Sequence, residues 1–429
     1  MRQVESRIEE ASYPLEFREK DAATLGLHIK NRHSVVLVGM KRVGISNFLR
    51  FFLNKDGVKE KYIADKKYHL FIPIDLNDLV ERELFPFWVL TLKRIEDSVI
   101  SSQVSEKTKR YIEALFLDSI QSQDLFLTID SIRKSLSILV DEGITPTIFF
   151  LRFDRMKDVV TPEFFANLQG LIDACHQNLS YVFTSVRSLE FLSPSVFTKA
   201  SVSVFARTMH IGPGTKKDSE IIFEETCKKY GLKFDKNDRA KVLGIVDGYT
   251  QYLQFALSYL HENDGKKIDE HIESDLFLDE RIALQSEELW ESLTEEEKET
   301  LLKVVEGKSV PVDEVERSSY LHNTGIISDS GIFSVLFLRY IEQKSKASKE
   351  NIKHEYSKKE HMLLKVLEEN RGALCEREAI IESVWPEAES YGVSDWAVDR
   401  LVARLRSKLK LSKSDYEIVT VKTRGYKLV

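Results

Sequence analysis

The chain has 429 residues, 42% hydrophobic and 31% charged, with 62 Lys+Arg against 69 Asp+Glu for a formal net charge of −7. That length implies about two to four domains with real cores, and the composition excludes a collagen-like or wholly disordered chain. Spread evenly, the mild acidity would argue against a nucleic-acid binder.

Three scattered cysteines (Cys175, Cys227, Cys375) form no CxxC pair, which argues against a disulfide framework or a zinc site and suits a reducing compartment. The opening MRQVESRIEEASY lacks the apolar run of a signal peptide, and no stretch is long and apolar enough to cross a bilayer. The expected location is the cytoplasm.

From about residue 30 to 190, short apolar runs alternate with longer periodic segments. Ser34–Val38, His69–Ile74, Thr147–Leu151 and Tyr181–Thr184 suit strands buried on both faces of a parallel sheet, and Phe85–Ile100 and Asp130–Val140 suit helices between them. The alternation predicts an α/β domain. From about residue 216 to 284 the strand signals vanish: Lys217–Tyr230 and Arg239–Glu262 read as amphipathic helices, the second interrupted by Gly248. Residues 285–343 carry helical segments around Glu288–Leu293, Glu295–Val305 and Asp313–Leu321 and a strand-like Ile332–Leu338, an order that suits a small winged helix. The polar Glu342–Glu355 reads as a linker.

The first strand runs into Gly39-Met40-Lys41-Arg42-Val43-Gly44-Ile45-Ser46-Asn47, ahead of a helical run. This is the setting of a phosphate loop, G-x4-G-K-[ST], in which backbone N–H groups and a helix N-terminus cradle phosphates, the lysine neutralises charge and the hydroxyl holds Mg²⁺. Both glycines and Ser46 are correctly spaced, but Ile45 replaces the lysine. Lys41 or Arg42 could supply part of the missing charge; the segment also reads as a plain strand–turn–helix corner. The strand Thr147–Leu151 leads into Arg152-Phe153-Asp154-Arg155. An active nucleotidase usually ends this strand with acidic residues that hold Mg²⁺. Here those positions fall on Leu151 and Arg152, unless the register is shifted and Asp154 is the catalytic acid.

These residues resemble the STAND/AAA+ group of P-loop ATPases, especially those similar to archaeal origin-recognition ATPases, over roughly residues 13–343. Phe17-Arg18-Glu19 looks like the group's opening motif and Phe153-Asp154-Arg155 like the tail of its D-E-F-D-R segment. Phe183-Thr184-Ser185 and Arg187 fall where a polar sensor strand would end, though a strand end with a solvated charge is the other reading. Asp247-Gly248-Tyr249-Thr250-Gln251-Tyr252-Leu253 looks like the lid segment without its proline. The resemblance implies a nucleotide site at Gly39, Lys41, Arg42, Gly44, Ser46, Asn47 and Thr184, with ATP or ADP and Mg²⁺ as its cofactors. The departures at Ile45, Leu151 and Arg152 put hydrolysis in doubt.

Around residues 291–316, nine carboxylates outnumber Lys298, Lys303 and Lys308, so the first winged-helix candidate would repel a phosphate backbone. It is expected to pack on the core as a structural unit.

The last 74 residues carry the most specific pattern. After Tyr356-Ser357-Lys358-Lys359-Glu360 come helices His361–Glu369, Glu376–Trp385 and Trp396–Lys410, then a hairpin through Thr420-Val421-Lys422-Thr423-Arg424-Gly425-Tyr426-Lys427-Leu428. In the longest helix Val398, Val402, Leu405 and Leu409 form one apolar stripe; at 100° per residue Arg400, Ala403, Arg404 and Ser407 point away from it, with Arg406 and Lys408 flanking it. A helix apolar on one side and basic on the other can enter a major groove. Residues 391–429 sum to +5, whereas residues 356–390 sum to −3.

This unit is similar to OmpR/PhoB winged-helix effector domains over its whole length, through Ser357-x-x-Glu360, Leu363-Leu364, Val384-Trp385, Val398-Asp399, Arg404-Leu405-Arg406, Lys408-Leu409 and Arg424-Gly425-Tyr426. The resemblance implies double-stranded DNA binding through Arg400, Arg404, Arg406, Ser407 and Lys408 on the helix and Thr420, Lys422 and Arg424 on the wing. Leu401, Ala403 and Ser407 stand where more polar residues are frequent, and no receiver domain is visible upstream.

The expected fold is thus an α/β P-loop core with a parallel sheet (1–215), a helical lid (216–284), a structural winged helix (285–343), a linker (344–355) and a DNA-binding winged helix (356–429). The expected function is a DNA-binding transcriptional regulator under control of a non-hydrolysing STAND/AAA+-like module. An ATP-hydrolysing initiator-like switch using Asp154, and a protein-interaction scaffold, are the alternatives. Expected partners are double-stranded DNA, a second copy of the chain and a protein signal partner, with no membrane and no resident metal.

Overall fold

In a computed structural model, the described residues are 8–65, 67–198, 202, 205–263, 268–328, 331–349, 356–385, 395–411, 416–421 and 424–429. The chain divides into two compact units, residues 1–341 and 342–429.

The larger unit is built on five parallel strands, β1 (Ser34–Val38), β2 (Tyr68–Asp75), β3 (Ile144–Leu151), β4 (Ser180–Ser185) and β5 (Ala206–His210), in the order β2-β3-β4-β1-β5. Along β1, Val35 and Leu37 enter one core while Val36 and Val38 enter another on the opposite face. That two-sided burial makes the strand continuously apolar rather than alternating. β5 is the strand the sequence reading missed. It is an edge strand whose Arg207, Thr208 and His210 stay exposed, so it lacks an apolar run.

Helices α1 (Glu19–Lys30) and α2 (Ile45–Asn54) flank β1, and α3 (Leu84–Ile100), α4 (Glu106–Ser122) and α5 (Leu125–Asp141) fill the long crossover from β2 to β3. Then come α6 (Pro162–Ala174) and the one-turn α7 (Leu189–Leu192). The lid comprises α8 (Lys216–Tyr230), α9 (Lys236–Val246), α10 (Thr250–Glu262) and α11 (Ile272–Leu278). Gly248 takes φ +76° between α9 and α10, where a β-carbon would meet the Gly214 carbonyl at 2.1 Å, so the predicted interruption is sterically required.

Next follow α12 (Glu280–Glu291), α13 (Glu295–Val305), α14 (Val312–Arg317), α15 (Ser319–Asn323), a hairpin of β6 (Ile327–Ser328) and β7 (Gly331–Ile332), and α16 (Val335–Lys349). Two expectations fail here. The strand-like Ile332–Leu338 is strand only as far as Ile332, because Ser334 takes φ +54° and its side chain then accepts the Leu336 N–H, starting a helix. A short buried apolar run fits a strand or a helix equally well. The linker read from residue 344 is helical through Lys349. Its Lys and Ala, after Glu342 and Gln343, are strong helix formers that propagate a helix anchored by buried Leu336, Phe337 and Ile341. Residues 350–355 lie outside the described part.

The smaller unit contains α17 (Lys358–Glu369), β8 (Cys375–Glu376), α18 (Arg377–Val384), α19 (Asp395–Leu411), β9 (Ile418–Val421) and β10 (Gly425–Leu428), with antiparallel order β8-β10-β9. Its own core gathers Leu363, Leu367, Ile380, Val398, Leu401, Val402, Leu405 and Leu428, so Leu401 joins the predicted stripe. Gly425 at φ +158° has the Cys375 carbonyl 2.0 Å from where a β-carbon would stand.

Candidate functional site

β1 delivers the chain into the loop, and Gly44 at φ +109° turns it into α2. The loop residues Gly39, Lys41, Arg42, Gly44, Ser46 and Asn47 line one cleft of about 580 Å³ with Asp154 and Thr184, which are distant in sequence.

The loop's two cations are already paired. Lys41 Nζ lies 3.5 Å from Glu288 Oε1 and Arg42 Nε donates to Glu288 Oε2 at 3.0 Å, with the Glu288 carboxylate almost wholly buried on α12. The charges that the sequence offered as substitutes for a lysine are therefore neutralised by a residue about 245 positions away. The lid holds the loop as well. Tyr249 Oη donates to the Lys41 carbonyl at 2.5 Å and Thr250 Oγ1 to the Val43 carbonyl at 3.2 Å, while Gln285 Nε2 donates to Tyr249 Oη at 3.0 Å. Full burial drives the Tyr249 phenol pKa far up, so it remains a proton donor. Arg18, from the predicted opening motif, donates to the carbonyls of Val43 (3.2 Å) and Gly212 (2.8 Å). Asn47 and Arg50 both bond the buried Glu10, at 2.9 and 2.6 Å.

β3 ends at Leu151, whose register partner is Asp75. Arg152 follows at φ +61°, gives its N–H to Thr184 Oγ1 at 2.7 Å and pairs its guanidinium with Asp75. The hydroxyl of Thr184 thus accepts a backbone donor, and a cation stands next to the strand end. Asp154 occupies a short 3-10 turn, where burial raises its carboxyl above the usual carboxylate range. Half-buried Ile45 packs against the core instead of offering a charge. This donor set does not fit a Mg²⁺–triphosphate held for hydrolysis: the lysine is missing, the acidic position is basic and burial disfavours the charged form of the remaining acid.

Arg187 is neither a solvated charge nor part of the cleft. Its guanidinium grips Glu297 in two bonds of 2.6 and 2.7 Å, bonds the Ser292 carbonyl at 2.6 Å and lies 3.7 Å from the Tyr320 ring centroid. It is buried, and it fastens the first winged-helix-like segment to the core. Of the acidity that argued against DNA binding there, Glu297 is spent on Arg187.

In the smaller unit, Ser357 and Glu360 cap α17 reciprocally, and Glu360 is only 2% exposed. Lys408 Nζ reaches its Oε2 at 2.5 Å and Arg404 Nε lies 3.9 Å from Oε1. Arg406 donates to the Ile418 carbonyl at 2.7 Å and to Thr420 Oγ1 at 2.8 Å, binding α19 to the wing. Arg400 lies 5.9 Å from the Trp396 ring, and Ala403, Ser407 and Thr420 are exposed. Arg424 pairs in solvent with Glu376 at 3.0 Å. Lys422 falls outside the described residues. Three of the predicted DNA-facing cations thus also carry packing contacts that sequence alone did not reveal.

The architecture defines two classes of module: a P-loop α/β core, and a winged helix of the OmpR/PhoB type, which is a DNA-binding class of domain. Residues 351–428 match the family described as Transcriptional regulatory protein, C terminal. Among solved structures, the chain is similar to the Walker-type ATPase PABY2304 of Pyrococcus abyssi (16% identity, TM-score 0.46, covering 76% of this chain and 95% of that one). It is also similar to the ORC2 protein of Aeropyrum pernix (11%, 0.46, 77% and 94%) and to the Aeropyrum pernix ORC1 protein in complex with DNA (14%, 0.34, 96% and 88%). A search of curated proteins finds no match. Among the described residues, no helix is long and apolar enough to cross a membrane and no cluster suits a metal ion.

Proposed function

We propose that the chain is a transcriptional regulator whose C-terminal winged helix reads double-stranded DNA, and whose P-loop core serves as a non-hydrolysing module that governs it. The observation carrying this reading is α19: one face is buried in a dedicated core, the other presents Ala403 and Ser407 to solvent between Arg400, Arg404 and Arg406, and the β9–β10 hairpin stands beside it. A helix so supported offers base-reading positions at its exposed face and phosphate contacts at its flanks.

Control through the core is supported by Glu288. A phosphate-bearing ligand entering the cleft would compete with that carboxylate for Lys41 and Arg42, so the ligand and the α12 contact exclude one another. Nucleotide is the ligand class favoured by the loop's spacing.

The test is DNA binding by the full chain to duplexes enriched from a random pool. Ser407→Glu places a carboxylate on the exposed face of α19 without touching the core. Binding is expected to weaken by more than about tenfold with an unchanged melting temperature. Undiminished binding by this variant sinks the assignment of α19 as the reading element.

A further inference from the structure

Seven of the fifteen large apolar side chains exposed among the described residues fall between positions 100 and 127. They include Tyr111 (41% exposed), Leu117 (50%) and Ile120 (44%) on α4, and Phe126 (72%) at the start of α5. Scattered exposure needs no explanation, but a concentration of this kind marks a contact surface. α4 turns Thr108, Ile112 and Ser119 inward, while Lys107, Arg110, Tyr111, Ala114, Leu117, Asp118 and Gln121 share one outward face, with Glu113 and Ile120 exposed to its side.

We propose that this outer face of α4 joins two copies of the chain as an antiparallel helix pair whose two-fold axis passes by Ala114. The order of residues along the face carries the argument. Ala114 sits midway and is small enough for two helices to approach closely. On its N-terminal side lie Arg110 and Tyr111, and on its C-terminal side Leu117 and Asp118. A two-fold axis at position 114 sets Arg110 of one copy opposite Asp118 of the other, and Tyr111 opposite Leu117, each pair occurring twice. Lys107 then meets the neutral Gln121. Within one chain Arg110 and Asp118 are about 12 Å apart along the helix, too far to pair, and neither forms a salt bridge among the described residues. The face is thus complementary to its own inverted copy in charge as well as in apolar content. A parallel pairing would instead set Arg110 against Arg110 and Asp118 against Asp118.

Sedimentation velocity of the full chain without DNA, between about 1 and 100 µM, is expected to show a monomer–dimer equilibrium. Arg110→Asp or Asp118→Arg alone creates two like-charge contacts per dimer and should weaken association about tenfold or more, and the combined reversal should restore it. Ala114→Cys should cross-link two chains under mild oxidation, because only that position meets itself across the axis, whereas Asp118→Cys should not. The native thiols are all buried and should stay silent. Circular dichroism melting confirms that each variant folds. A chain monomeric throughout, a dimer indifferent to single reversals, a double reversal that does not recover, or equal cross-linking at positions 118 and 114 would each overturn the proposal. Because no DNA is present, either result leaves the reading of α19 untouched.

Discussion

Arg187 and Glu360 show how much a single buried charge depends on its partner. Arg187 and Glu297 are both nearly inaccessible, so removing one leaves the other buried and uncompensated. Arg187→Ala should destabilise the larger unit by about 3–5 kcal/mol, whereas Arg187→Met combined with Glu297→Leu should cost less than the single change; urea unfolding measures both. At Glu360, burial acts to raise the carboxyl pKa, but the bonds from Lys408 and the Ser357 N–H outweigh it, and the net position is below the ordinary 4.5. The folded state therefore binds that proton less readily than the unfolded state. The stabilisation is complete above pH 4.5 and is lost as pH falls through the lower, folded value. Glu360→Gln should cost about 2 kcal/mol at neutral pH and flatten the acid limb of the smaller unit's unfolding curve, as read by thermal melts across pH. An acid limb unchanged in the variant would assign that limb to other carboxylates.

At the scale of elements, the loop, the lid and α12 form one restraint. Tyr249 and Thr250 hold the loop's carbonyls while Glu288 holds its cations, so the loop is occupied by the protein's own groups. Glu288→Gln keeps the shape and removes the charge. It is expected to raise affinity for a non-hydrolysable ATP analogue about tenfold in calorimetry, the scale of one partly buried ion pair. Equal affinity in the two proteins would show that Glu288 does not restrain the site. The elements legible in the sequence were those with strong local patterns: four of the five strands, and Gly248 as a break between helices. Those missed were β5, whose edge position leaves it polar, and α4, whose apolar residues face outward as well as inward and so blur the helical period. At α16 a strand-like run became a helix because a turn at Ser334 and burial of one face decided between two structures the run could adopt.

For the whole molecule, charge is partitioned rather than spread. The first 355 residues sum to −9 and the last 74 to +2, with +5 on residues 391–429. The acidic body and the basic tip make the overall −7 a poor guide to DNA affinity. Arg404→Ala with Lys422→Ala should weaken DNA binding and make the slope of log affinity against log salt shallower by about 1.8 if both reach phosphates. A slope shallower by only half that amount would leave one of the two at a phosphate, which the single variants would identify, and an unchanged slope would remove both as phosphate contacts.

The amino-acid sequence alone determined the two kinds of module, because each rests on local order: glycines at a strand end, an apolar stripe on one helix, a capping box, and Arg-Gly-Tyr in a hairpin. The resemblance also singled out seven residues as a nucleotide site, with Asp154 as an alternative acid, and the structure sets all eight around one cleft. What only the tertiary structure decided is where the carboxylates go. Glu288 reaches Arg42 across 246 positions, Glu297 reaches Arg187 across 110, and Glu360 reaches Lys408 across 48. No local pattern specifies such pairings. A charge in sequence reads as solvated by default, and only packing at low dielectric turns it into a restraint, a fastening or a support for α19.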